Sequence, residues 1–384
     1  MKGKNLGYAL AFIFILSFLL VYPTWAAEKT PFKIGATLEI TGPASYLGEP
    51  ARNTLVMLEE KINKEGGING HPLKLIIYDN ATDSTKHVMA LKRLIEQDEV
   101  AAIIGPMTSG NTLAGIPIIE KASIPSISLA ASNKIAEPVK KWIFMTPKTD
   151  TMNITKLLTH AKSLGFKKAA LIHSDSGYGM SGKEQFEIIA PKIGFSIVAM
   201  ESFGDKDSDM TTQLTKIRAS GAEAIVAYSA SPAGSIIVKN LKQLGMKAKL
   251  YHSLGWASQD YVDLAGDAAN GVLLSAGRML VLEQIPYWSP FRPPLEVYKR
   301  DYEEKYKMKF NEFGGHAWDA IMLIASSLEE VGQDRGKIRD HIENTKNFLG
   351  INGLYNFSPT RHNGLDLSAL VMMEVRGNKF KLAE

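Results

Sequence analysis

The chain has 384 residues, 45% hydrophobic and 22% charged, with a formal net charge of +4 and no cysteine. That length accommodates two or three domains of roughly 100–200 residues with sizeable cores, and the near-balanced charge gives a nucleic-acid partner no electrostatic support. Without cysteine the fold cannot rely on disulfides, and a bacterial lipid anchor built on an N-terminal Cys is excluded.

Residues 1–26 read as an export leader. Lys2 and Lys4 precede an apolar run from Leu6 to Val21, and Thr24 and Ala26 occupy the small-residue positions of a cleavage site. The run of about 16 residues falls short of the roughly 20 needed to span a bilayer, which disfavours an uncleaved anchor. We expect cleavage after Ala26 and a mature protein free in the periplasm, or secreted.

A strand–helix alternation follows. Phe32–Ile40 reads as a strand, and Leu47–Glu65 as a helix with Leu55, Leu58 and Ile62 on one face. Strand Leu73–Tyr78, helix Ser84–Gln97, strand Ala101–Gly105, helix Leu113–Ala122 and the segment Pro125–Leu129 continue the rhythm. It restarts near residue 150 with helix Ile154–Leu164, strand Lys168–His173, helix Gly182–Ile193 and strand Phe195–Met200. Helix Thr211–Ala219, strand Ala224–Tyr228, helix Gly234–Leu244 and strand Lys249–His252 complete the second block. Strands dense in Ile, Val, Leu and Ala suit parallel sheets buried on both faces. The expected fold is therefore α/β, with two doubly wound open-sheet lobes. The tail breaks the pattern: Pro286, Pro290, Pro293 and Pro294 predict a loop, followed by helices over Leu295–Lys307, Gly314–Glu329 and Gly336–Asn344. Short strands at Leu354–Phe357 and Leu367–Arg376 close the chain.

Enzyme signatures are sparse. Eight histidines lie without metal-ligand spacing, and neither a GxSxG elbow nor a GxxxxGK[ST] phosphate loop is present. Gly177-Tyr178-Gly179-Met180-Ser181-Gly182 matches a dinucleotide GxGxxG, with Glu201 about 20 residues further on. The match is loose, because it starts several residues beyond the strand; the same glycines suit a loop bending close to a helix N-terminus. A different pattern recurs at strand ends: Thr41-Gly42-Pro43, Met107 to Thr112, and Ala130-Ala131-Ser132-Asn133. Hydroxyls and helix N-terminal N–H groups at one sheet edge suit a small anion such as a carboxylate, although Ser109 and Ser132 also serve as helix caps. Tyr46, Tyr178, Tyr228 and Trp256 occupy comparable loop positions and would supply apolar walls.

These stretches resemble the periplasmic leucine/isoleucine/valine-binding proteins, the solute receptors of ABC importers (type I). The resemblance rests on Lys33–Gly42, Glu60–Asn80, Ala101–Gly110, Ile124–Ala131 and His173–Gly179. It implies two lobes joined by three hinge crossovers, near Thr146, Ala276 and Ser358. The first lobe would hold residues 27–146 and 277–357, the second 147–276 and 358–384. A hydrophobic amino acid or other small carboxylate would lie between them, with delivery to a membrane permease. The resemblance implies no cofactor, no metal and a monomer. It assigns the ligand carboxylate to Ser109 and the Ala130–Ser132 turn, with the Ala130 carbonyl accepting from the ammonium. Tyr178 and Tyr228 would be the second-lobe tyrosines that close over the ligand, and Tyr46 an aromatic of the first lobe. Amino-acid binders of the family carry a glutamate where this chain reads Ser253 to Ser258, around Gly255 and Trp256. Losing that charge-assisted bond costs about 1.5–3 kcal/mol, so an amine-free aromatic or aliphatic carboxylate competes as ligand, with Asp260 as a possible substitute acid. A ligand sensor in place of a transport receptor is the alternative role.

Overall fold

The computed structural model describes residues 29–383, so the leader expected over residues 1–26 and its cleavage lie outside the described residues. Two sheets organise the chain. The first has five parallel strands, β1 (Phe32–Leu38), β2 (Leu73–Asp79), β3 (Ala102–Ile104), β4 (Ser126–Ser128) and β5 (Ile143–Met145), in the order β2-β1-β3-β4-β5. Its connecting helices are α1 (Ser45–Lys64), α2 (Ser84–Glu96), α3 (Ser109–Ala122) and the short α4 (Asn133–Ala136). The second sheet is built from β6 (Lys168–Ser174), β7 (Ser196–Phe203), β8 (Ala224–Tyr228), β9 (Lys249–His252) and β10 (Leu273–Ala276). Helices α5 (Asp150–Ser163), α6 (Gly177–Ile193), α7 (Thr211–Ala219), α8 (Ala233–Gln243) and α9 (Gln259–Ala265) accompany it.

The tail returns to both lobes. Helices α10 (Arg292–Tyr306), α11 (Glu312–Val331) and α12 (Arg335–Asn344) share the first lobe's core with α1 and β1, together with the small ladder β11 (Phe348–Leu349) and β12 (Leu354–Tyr355). The final hairpin, β13 (Val371–Arg376) and β14 (Lys379–Leu382), adds antiparallel to β10, completing the seven-strand order β14-β13-β10-β9-β8-β6-β7. The α/β expectation of two doubly wound open sheets holds, and the chain passes from lobe to lobe three times.

Several elements differ from expectation. Strands β5, β10 and β14 and helix α9 were not anticipated. Residues Leu367–Ala369 form a 3-10 turn, so the last long strand starts at Val371. Pro293 and Pro294 stand in the first turn of α10, where a missing N–H costs nothing, so the proline-rich loop is shorter than its composition implies. Helix α6 begins at Gly177, not Gly182.

The three crossings are tied by one buried polar cluster. Lys148 pairs with Glu312 and also donates to Asn352 Oδ1 at 2.8 Å, with both members of the ion pair out of solvent. Glu312 also accepts from the Gly277 N–H in the second crossing. Asp319 accepts from Ile351 N, Asn352 N, Asn352 Nδ2 and Tyr355 Oη at 2.6–2.9 Å. Tyr355 Oη also lies 2.7 Å from the Thr146 carbonyl, and Asn363 Nδ2 donates to Pro147 O at 2.6 Å. Buried charge survives only when paired and hydrogen-bonded, and here every crossing contributes a partner.

Candidate functional site

In each sheet the chain reverses winding direction beside its first strand: β1 has β2 on one side and β3 on the other, and β6 has β7 and β8. Crevices form beyond the carboxyl ends of strands at such switch points. The two crevices face each other and enclose a cavity of about 360 Å³ between the lobes. Its walls include Tyr46, Leu47, Thr108, Ser109, Gly110, Ala130 and Ala131 from the first lobe. Tyr178, Ala230, Ser231, Leu254 and Gly255 line it from the second, and Phe313 and His316 from α11.

The first-lobe wall is organised by Glu39, directly after β1. Its fully buried carboxylate accepts from Met107 N (2.8 Å), Thr108 N (3.3 Å), Thr108 Oγ1 (2.7 Å) and Asn111 Nδ2 (2.9 Å). Because the Thr108 hydroxyl is committed to Glu39, it supplies no side-chain cap to α3. The first N–H groups of a helix have no intrahelical partner, so α3 meets the cavity with an uncapped N-terminus at Ser109 and Gly110. Such an end carries roughly half a positive charge.

The second-lobe wall begins with α6. Ser176 caps it by accepting from Gly179 N at 3.3 Å. A Cβ on Gly177 would stand 3.1 Å from Gly110 N, so the N-termini of α6 and α3 meet across the cavity mouth. A Cβ on Gly179 would stand 2.1 Å from the Ser174 carbonyl, and one on Gly182 would stand 2.1 Å from the Tyr228 ring. These two glycines admit close packing inside the helix, and all three glycines of the motif lie beyond the strand-to-helix turn at Asp175 and Ser176, where a dinucleotide fingerprint would need them.

Tyr46, Ser109, Ala130, Tyr178 and Gly255 are brought together around the cavity. Tyr46 Oη donates to the Ala230 carbonyl of the opposite lobe. The Tyr178 ring lies 4.7 Å from that of Tyr228, and its hydroxyl is buried near Ser253 and Gly255 without a well-formed hydrogen bond. Ser231 Oγ, beside Asp205, is likewise buried without a well-formed hydrogen bond.

Three expected contacts need correction, because packing turns them elsewhere. Ser132 caps α4 and donates to Ser181 Oγ of the other lobe at 2.8 Å. Tyr228 is fully buried beneath Tyr178 and donates to Asp150 Oδ1 at 2.6 Å. Trp256 stacks on His252, with ring centroids 5.1 Å apart, and donates from Nε1 to Ser235 Oγ at 3.1 Å inside the second lobe's core. The 3-10 turn Leu254–Trp256 explains the last case: it gives Leu254 and Gly255 to the cavity and Trp256 to the core. Asp260 lines a separate groove, and Glu201 pairs with Lys216 at 2.9 Å. The acid lining the cavity is Asp205, on its exposed rim.

Behind Tyr228, Asp150 accepts from Ser181, Tyr228 and Asn133 N with no cation beside it; burial pushes its carboxyl up to about 6. Burial, and next the Lys148 ammonium, hold His316 well below the usual histidine range, so it is neutral near pH 7. Sequence reasoning missed Glu39, Asp150, Phe313 and His316. Among the described residues no group of three or more His, Cys, Asp or Glu is placed to hold a metal ion, and no helix is long and apolar enough to cross a membrane.

Residues 31–379 match the family model described as periplasmic binding protein. A leucine-, isoleucine-, valine-, threonine-, and alanine-binding protein of Pseudomonas aeruginosa is 24% identical over 316 residues, covering 81% of this chain and 82% of that one. The crystal structure of an extracellular ligand-binding receptor from Rhodopseudomonas palustris HaA2 is 26% identical, covering 92% of this chain and all of that one, with a TM-score of 0.86. A branched-chain amino acid transporter substrate binding protein from Streptococcus pneumoniae, in complex with isoleucine, is 24% identical, covers 93% of this chain and 99% of that one, and shares the fold with a TM-score of 0.79. These relatives are solute-binding proteins, not enzymes.

Proposed function

The chain belongs to the periplasmic binding protein family, and on that premise we propose that it captures a small carboxylate-bearing solute between its lobes. By family default the solute is a branched-chain or other hydrophobic amino acid. One observation carries this reading: the uncapped N-terminus of α3, with Ser109 and Gly110, opens onto a cavity whose walls include the apolar side chains of Tyr46, Leu47, Tyr178, Leu254 and Phe313. Donors at a helix N-terminus hold a carboxylate without a countercharge, and the apolar walls take the body of the solute. The ligand contacts would be Tyr46, Ser109, Ala130, Tyr178 and Gly255. The leader is removed on export, and the monomeric receptor, closed on its ligand, docks on the permease of an ABC importer. Closure follows because only the closed form contacts ligand from both sides.

A second reading, an amine-free aromatic or aliphatic carboxylate, is favoured by the loop after β9. It offers Leu254 and Gly255 to the cavity, and no buried carboxylate lines that wall to meet an ammonium. A thermal-shift screen of the purified protein tests both, since a tight ligand stabilises by mass action. Shifts with leucine, isoleucine or valine support the first reading. Shifts confined to amine-free acids support the second, and no shift with any carboxylate counts against capture itself.

A further inference from the structure

The base of the cavity, where α11 meets the first crossing at Pro147, holds a hydrogen-bonding group that neither lobe uses. His316 lines the cavity and is almost completely buried, yet its Nδ1 has no hydrogen-bond partner. Asn352 lies close enough to act on the ring, but no neighbour makes a well-formed hydrogen bond to Nδ1. Asn352, beside the imidazole, gives Nδ2 to Asp319 at 2.7 Å and takes Lys148 Nζ on Oδ1 at 2.8 Å. Lys148 is in turn held by Glu312. The His316 carbonyl is occupied by Thr146 Oγ1 at 3.0 Å, which fixes this turn of α11 against the crossing. A buried polar nitrogen without a partner costs roughly 1–3 kcal/mol, and a leucine or phenylalanine in its place would avoid that cost.

We propose that His316 is a specificity-determining contact that hydrogen-bonds an uncharged polar group, a hydroxyl or carbonyl, on the body of the captured carboxylate. This deepens the carboxylate-capture reading and rests on it. The partner is uncharged because the imidazole carries no charge to offset and the nearby Lys148 ammonium is already neutralised by Glu312. The carboxylate is taken by α3, so the group that His316 meets belongs to another part of the ligand. A plain aliphatic body would leave the ring nitrogen unpaired, and a site of that kind discriminates strongly against the analogue that lacks the polar group.

The test uses two near-isosteric pairs, L-threonine against L-valine and 4-hydroxybenzoate against 4-methylbenzoate, titrated calorimetrically into the full mature protein. For at least one pair the wild type should favour the hydroxyl member by about tenfold or more. H316L should bring the two members of that pair within about threefold, and H316Q, which keeps a hydrogen-bonding end, should retain part of the preference. If H316L does not fold, as judged by its thermal melt, H316Q and the wild-type imidazole 15N resonances carry the test. Those resonances should move on saturation with the hydroxyl member but not with its methyl partner. Tighter binding of the methyl member in both pairs, or a hydroxyl preference unchanged in H316L, overturns the assignment while carboxylate capture stands. Failure of the wild type to bind any of the four, or any other carboxylate, overturns both.

Discussion

The crossings and the cavity are two buried polar regions between the same lobes, and they are finished differently. Around the crossings, Lys148, Glu312, Asn352, Asp319 and Tyr355 satisfy one another. At the cavity, Tyr178 Oη, Ser231 Oγ and His316 Nδ1 are buried without a well-formed hydrogen bond, and α3 is left uncapped. The contrast separates structural polarity from functional polarity. Groups that hold the crossings are closed by the chain itself, whereas groups at the proposed ligand cavity stay open at a cost in stability.

The largest expected effect breaks the closed side of that comparison. K148M leaves Glu312 buried and unpaired and should cost about 3–5 kcal/mol in urea unfolding. The double variant K148M/E312M should cost less than K148M alone, because no buried charge remains. The next tests Asp150, a buried carboxyl with hydrogen bonds but no cation. Its folded pKa of about 6 lies above its ordinary value of 3.8, so between these values the folded state holds more protons than the unfolded. Stability should therefore fall by about 2 kcal/mol as pH rises from about 4 to about 6. Denaturant midpoints across that range should show the fall, and D150N should flatten it. Next, E39Q should cost about 2 kcal/mol by placing an amide donor opposite Thr108 and Asn111. It should also weaken ligand binding, because the α3 N-terminus loses its support. The smallest effect belongs to the open side. Y178F should change stability by less than about 0.5 kcal/mol, since the lost hydroxyl has no partner, yet weaken ligand binding by about 0.5–1.5 kcal/mol. A stability loss as large as that of E39Q would mean that Tyr178 belongs to the closed class.

The architecture was legible because apolar strands and 3.6-period helices alternate over most of the chain. What escaped were elements too short for a period. Strand β5 has three residues and β10 four, and their burial follows from neighbours contributed by distant segments. The β13–β14 hairpin was hidden in its turn, where Gly377 and Asn378 both take φ of 58°. The strand-end loops at Ser109 and Ala130 were legible from small and hydroxyl residues, and Tyr46 and Tyr178 from their place beside them. Trp256 and Tyr228 were misplaced because loop position does not fix side-chain direction; one step along a 3-10 turn exchanges cavity for core. Glu39 and His316 carried no local signal. Glu39 meets its partners 68–72 residues away, and His316 draws its character from Lys148 and Asn352.

The meeting of α3 and α6 at Gly110 and Gly177 bears on what an unloaded receptor does. Closing the empty cavity brings two helix ends of like partial charge together, a repulsion on the order of 1 kcal/mol at close range. An anion between them turns the same contact into attraction on both sides. Under the proposed function this contact would act as a check on empty closure: without an anion the two helix ends resist approach, and with one they hold together. Small-angle scattering of ligand-free protein should then show a more open average form at low ionic strength than at high, and the difference should vanish once ligand is bound.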